Sequence, residues 1–209
     1  MQTDIAALLS NTAPILPVIK VEKAEHILPI ANALAEGGIK GLEITLRTTA
    51  GIKAIELVKK AGLDVVLSAG TVTRPEHVDA LADIGVDFAV TPGLTPDVLE
   101  RAQRKGVQLL PGIATPSEVM TGLAYDLRFF KLFPASIVGG IGMLKALGGP
   151  FPDLKFCPTG GLNLENFRDY LSLPNVFCIG GSWMMAFQGG EPDTSEITRL
   201  AAEATGLLG

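Results

Sequence analysis

Short apolar runs rich in β-branched and aromatic residues alternate along the chain with longer stretches whose apolar positions recur at helical spacing. Eight such runs occur: ILPVIKV at 15–21, GLEITL at 41–46, DVVLSAG at 64–70, DFAVTPG at 87–93, VQLLPG at 107–112, FFKLFP at 129–134, LKFCPTGG at 154–161 and VFCIGG at 176–181. The stretches between them, such as AEHILPIANALAEGG at 24–38 and TAGIKAIELVKKAG at 49–62, carry Ala, Ile and Leu on one helical face and often end in Gly, the usual helix C-cap. Each strand–helix unit takes about 20 to 30 residues, the length a parallel crossover requires.

Several of the runs are apolar on both alternations, so both faces of their sheet must be covered. Eight strand–helix units of that kind predict an α/β fold of the (β/α)8 type, a TIM barrel with a closed parallel sheet inside a ring of helices. An open doubly wound sheet is the rival. Its GxGxxG fingerprint is missing, because EKAEH follows the first run. MQTDIAALLS predicts a small extra helix before the first strand, and TSEITRLAAEATGLL a closing one. With no low-complexity linker and no shift in composition, residues 1–209 are expected to form a single domain.

The apolar fraction of 47% supports a core that needs no staples, and only two cysteines occur, Cys157 and Cys178, both inside apolar runs. They are expected to be reduced packing residues. A net charge of -5 with 19% charged residues is mildly repulsive toward nucleic acid and anionic lipid, so neither a nucleic acid nor a membrane is an expected partner. The N-terminus lacks a basic leader, and no segment runs 18 apolar residues without a charge, which points to a cytoplasmic enzyme. A small anionic substrate remains compatible with that balance, since a few local cations and backbone amides suffice to bind one.

Two runs break the apolar rule. In the second, Leu42, Ile44 and Leu46 share one alternation and Glu43, Thr45 and Arg47 the other. If the apolar set meets the helices, a carboxylate, a hydroxyl and a guanidinium point into the barrel, where charge is costly unless it is paired or functional. A structural Glu43–Arg47 pair is the plain alternative. In the sixth, Lys131 stands among Phe129, Phe130 and Phe133. An ammonium desolvated by three rings is expected to lose its proton more easily, leaving an amine able to attack a carbonyl and form an imine. The plain alternative there is a lysine that snorkels to water.

The other strand ends extend the pattern, because sites in such barrels lie at the C-terminal ends of the strands. Thr71 follows the third run, Pro92 and Gly93 the fourth, Pro111 and Gly112 the fifth, Thr159, Gly160 and Gly161 the seventh, and Gly180, Gly181 and Ser182 the eighth. Paired glycines after the last two strands suit a phosphate, since backbone N–H groups can approach it closely there. Gly37-Gly38 and Gly189-Gly190 read as ordinary turns. His26 and His77 fall in expected helices away from the strand ends, and no cluster has metal-ligand spacing, so neither a metal nor a cofactor is expected.

Taken together, LEITLRT at 42–48, SAGTV at 68–72, TPGLT at 91–95, FFKLFPA at 129–135, FCPTGG at 156–161 and CIGGSW at 178–183 make the chain resemble, nearly end to end, the 2-keto-3-deoxy-6-phosphogluconate (KDPG) and 4-hydroxy-2-oxoglutarate (KHG) aldolases. The resemblance implies a class I, Schiff-base aldolase without a cofactor, in which Lys131 forms the imine and Glu43 is the general acid/base. It further implies that Arg47 and Thr71 bind the keto-acid carboxylate and that Phe133 and Pro92 line the pocket. Thr159, Gly160, Gly161 and Ser182 would hold the distal phosphate or the substrate hydroxyls. The implied partners are a small 2-keto acid and phosphosugar substrate, and the implied assembly is a homotrimer. Ser136, where the family often has Glu, and Ala114, where it usually has Ser, are departures that bear on substrate preference and loop packing. Two other readings stay open: an aldolase for the galactonate epimer or an unphosphorylated hydroxy-oxoglutarate, and a non-catalytic phosphosugar-binding barrel.

Overall fold

The computed structural model describes residues 5–9, 13–185 and 190–208. A one-turn helix α1 (Ile5–Leu8) precedes β1 (Ile15–Ile19), and helices then follow strands in the order α2 (Ile27–Glu36), β2 (Gly41–Thr45), α3 (Gly51–Ala61), β3 (Val66–Gly70), α4 (Pro75–Ile84), β4 (Phe88–Val90) and α5 (Pro96–Lys105). The chain continues through β5 (Leu109–Leu110), β6 (Gly112–Ile113), α6 (Pro116–Leu123), β7 (Phe129–Leu132), α7 (Gly140–Gly148), β8 (Lys155–Pro158), α8 (Phe167–Leu171), β9 (Ile179–Gly181) and α9 (Thr194–Gly206). Gly62, Gly85 and Gly106 end α3, α4 and α5 in the left-handed conformation that the sequence pattern anticipates. Of the expected N-terminal helix, residues 1–4 and 10 lie outside the described residues.

All strand pairs among the described residues are parallel, but the ladders fall into two sheets, a six-stranded one in the order β5-β4-β3-β2-β1-β9 and a three-stranded one in the order β6-β7-β8. The uninterrupted closed sheet expected from the sequence is therefore not what the ladders form. Pro111 has no N–H to give to a ladder, and the expected fifth strand divides around it into β5 and β6. Single bridges, Phe156 with Val176 and Thr159 with Gly180, take the place of a ladder between β8 and the segment carrying β9. The last strand is also shorter than its apolar run, because the Val176–Phe177 end bonds to Phe156 instead of to β1.

Alternation sorts the strand residues into two layers. Ile15, Ile19, Leu42, Ile44, Leu67, Ala69, Phe130, Leu132 and Phe156 face the helices in the larger apolar cluster. Leu16, Phe88, Val90, Leu110, Cys157 and Cys178 face the other way and pack with Ile5 and Leu9, so α1 belongs to the inner cluster. Both cysteines are buried free thiols. On that inner side the polar exceptions Glu43, Thr45, Ser68, Lys131 and Thr159 are all buried.

The end of α2 packs closely on α9. A Cβ at Gly37 would lie 2.4 Å from Ala201 Cβ. Gly37→Ala is expected to push the two helices apart and cost about 1–3 kcal/mol in urea unfolding, with catalysis in the surviving folded fraction unchanged.

Candidate active site

Glu43 in β2 is in register with Val18 of β1 and Ser68 of β3, while Lys131 in β7 is in register with Gly112 of β6 and Cys157 of β8. They come from different sheets and meet across the interior. Lys131 Nζ donates to Glu43 Oε1 at 3.1 Å and Oε2 at 3.3 Å, with 4% and 1% of the two side chains exposed. A pair of opposite charges this deep costs desolvation that its own attraction only partly repays. What it provides is a hydrogen bond along which a proton can pass between an amine and a carboxylate.

The glycine at 70 is a condition of that contact. A Cβ there would lie 2.3 Å from Glu43 Oε1 and 2.7 Å from its Cγ, so the carboxylate rests directly on the backbone at the end of β3. The next residue, Thr71, holds a φ of 60°, uncommon for a β-branched residue. Its hydroxyl accepts a 3.1 Å hydrogen bond from Arg47 Nε. Nothing in the sequence marks Gly70 as more than part of the SAGTV run; the signal is its position at the end of the strand that neighbours a buried acid.

Two expectations about these side chains need correction. The interior guanidinium is not interior: Arg47 lies past the end of β2, at the mouth, and Thr45 turns its hydroxyl to Ile19 O at 3.0 Å. No Glu43–Arg47 pair forms, because the carboxylate is taken by Lys131. Nor do three rings enclose the ammonium. Phe133 stands over it, at 5.3 Å from the ring centroid. Phe129 packs edge-on against Phe177 and Phe130 leans on Phe156, in line with the alternation that points residue 130 at the helices.

Around the pair, the loop after β4 is braced by Thr91, whose hydroxyl donates to Gly93 O and accepts from Gly112 N at 3.2 Å, leaving Pro92 exposed at the rim. Gly160 and Gly161 have φ of 99° and 79° and follow β8 as a true loop. Thr159 is buried, its hydroxyl 3.8 Å from Cys157 Sγ. Gly180 and Gly181, expected in a loop, lie inside β9, where a Cβ at Gly180 would strike Thr159 Oγ1 at 2.2 Å and one at Gly181 the Trp183 ring at 1.9 Å. Their small size makes room for those side chains, and Ser182 is the first exposed residue beyond them. Burial, followed by the neighbouring Cys157, pushes the Cys178 thiol well above its ordinary range, which keeps it protonated.

One of the two histidines, His77, is not remote from the strand ends. His26 is buried and pairs through Nε2 with Glu191 at 3.1 Å, and His77 sits in the first turn of α4 beside Arg74, which donates from Nε to His77 Nε2 at 2.9 Å. Partial burial and then the Arg74 charge hold His77 below the ordinary histidine range. Among the described residues no group of three or more His, Cys, Asp or Glu could hold a metal ion, and no helix is long and apolar enough to cross a membrane.

Residues 6–200 match the family of KDPG and KHG aldolases. The chain belongs to that family. It is 46% identical over 197 residues to the 2-dehydro-3-deoxy-phosphogluconate aldolase of Dickeya dadantii, an alignment that covers 93% of this chain and 92% of that protein. Identity to the KHG/KDPG aldolase of Escherichia coli K12 is 45% over the same shares. The crystal structure of the Legionella pneumophila KDPG aldolase, with pyruvate captured at low pH as a covalent carbinolamine intermediate, superposes with a TM-score of 0.91 at 43% identity, covering 97% of this chain and 98% of that one.

Proposed function

We propose that this member of the family is a class I aldolase that cleaves KDPG to pyruvate and glyceraldehyde 3-phosphate, and that it also cleaves 4-hydroxy-2-oxoglutarate to pyruvate and glyoxylate. The observation that carries the reading is the 3.1 Å contact between the buried Lys131 amine and the buried Glu43 carboxylate. In this reading Glu43 takes a proton from Lys131, and the free amine attacks C2 of the keto acid to give a carbinolamine. Glu43 returns a proton to the C2 hydroxyl and water leaves, forming the imine. The carboxylate then removes the C4 hydroxyl proton, directly or through water. The C3–C4 bond breaks, its electrons flow into the imine, and the aldehyde departs. Protonation of the enamine at C3 and hydrolysis of the imine release pyruvate and restore the amine.

Arg47, oriented by Thr71, holds the C1 carboxylate, a task suited to a guanidinium fork. Phe133 and Pro92 wall the reacting carbons. The left-handed Gly160–Gly161 loop and Ser182 bind the distal phosphate, with Thr159, Gly180 and Gly181 shaping the floor between them. An amine and a carboxylate complete the chemistry, so no cofactor enters. The two sheets, joined through Pro111 and the Thr159–Gly180 bridge, act as one closed eight-stranded barrel in a single domain, assembled as a cytoplasmic homotrimer.

Borohydride reduction in the presence of pyruvate, read by intact mass and peptide mapping, tests the reading. A stable adduct on Lys131 is expected. Phosphosugar binding with no adduct on any lysine would replace the aldolase with a binding barrel.

A further inference from the structure

On the side of the mouth formed by the loops after β1, β2 and β3 lies a cavity of about 620 Å³, whose lining includes Lys20, Arg47, Thr48, Thr49, Arg74 and His77. The chain as a whole is anionic, with a net charge of -5, yet this cavity gathers three permanent cations. The acid that lines it, Glu22, is occupied by Lys20 at 2.6 Å. Among the described residues neither Arg47 nor Arg74 has an acidic partner: each guanidinium spends its Nε on a neutral group, the Thr71 hydroxyl and the His77 ring. Two guanidinium groups without an acidic partner in one concavity leave forked donors free for a shared anion. Thr48 and Thr49 line the same space, and Thr48 donates its hydroxyl to Val21 O at 2.6 Å.

We infer that this cavity is a second anion site, taking a phosphate, free or as a monoester, between Arg74 and Arg47 with Lys20 at its edge. It lies beside β1 to β3, whereas Gly160, Gly161 and Ser182 follow β8 or close β9. The second site shares Arg47 with the keto-acid carboxylate, a point that rests on the proposed aldolase reading, so bound phosphate competes with substrate through the carboxylate end. Phosphate is therefore an inhibitor that raises KM and leaves kcat alone, even for a substrate that carries no phosphate.

The test uses the full chain and inorganic phosphate. Equilibrium dialysis with labelled phosphate is run on the wild type, Arg74→Gln and Ser182→Ala, followed by inhibition of 4-hydroxy-2-oxoglutarate cleavage. Two phosphate sites are expected on the wild type: Arg74→Gln weakens the one between the arginines about tenfold or more and removes its inhibition, with kcat unchanged, while Ser182→Ala weakens only the distal one and leaves the arginine site and its inhibition in place. Equal binding by the wild type and Arg74→Gln overturns the inference, and so does loss of binding in Ser182→Ala with Arg74→Gln unaffected. A glycerol phosphate series in the same dialysis separates a free ion from a monoester by which binds more tightly. Arg74-dependent binding in a protein that cleaves neither substrate would leave this site standing and remove the aldolase reading.

Discussion

Replacing Lys131 by Met is expected to abolish pyruvate trapping and to lower kcat/KM for KDPG cleavage by at least about 10⁴-fold, because the imine needs the amine that rests on Glu43. The change should also be felt in stability. Glu43 is 1% exposed, and Lys131 answers its charge. Removing one partner of a buried pair leaves the other charge without compensation, at about 3 kcal/mol or more. Pairing Lys131→Met with Glu43→Gln should recover most of that loss in urea unfolding while recovering none of the activity. The two readouts separate chemistry from folding. Turnover within tenfold of wild type in a folded Lys131→Met protein would end the Schiff-base account.

The alternating pattern that locates this pair is legible along the chain because strand periodicity is strict. Once Leu42 and Ile44 are assigned to the helices, Glu43 has to face the other way, and the structure places it there. The same rule in the sixth run sends Phe130 outward with Leu132 and leaves Lys131 with Phe133 as its ring neighbour. Three rings adjacent in sequence are thus not adjacent in space. Arg47 shows where the rule stops: β2 ends at Thr45, and beyond a strand end alternation no longer dictates direction. Ladder continuity is less legible still. Whether Pro111 divides a strand, or whether Val176 bonds to β8 instead of β1, depends on how neighbouring strands stagger, and no local pattern records that. His77 follows the same logic, since a helix that starts at a strand's C-terminal end carries its first turn to the mouth.

Glycines are the harder case, because one residue type serves several purposes. Gly160 and Gly161 are required by their positive φ, Gly180 and Gly181 by the side chains above them, and Gly70 by the carboxylate itself. Gly70→Ala therefore offers a way to move Glu43 without altering it. The added methyl would fall 2.3 Å from Oε1 and 2.7 Å from Cγ, and the strand backbone is held in place because Gly70 O is bonded to the Leu46 amide at 2.8 Å. The carboxylate must swing away from Lys131 Nζ, and a displacement of about 1 Å at a reacting group costs on the order of 10² in rate. The combined loss of position and of proton transfer is expected to slow turnover by about two to three orders of magnitude. Lys131 remains, so pyruvate should still be trapped, only slowly, as it should in Glu43→Gln. Near wild-type turnover in folded Gly70→Ala would mean that the carboxylate acts from a different position than the one it holds here, and trapping at the wild-type rate with slow cleavage would confine its role to the carbon–carbon bond-breaking step.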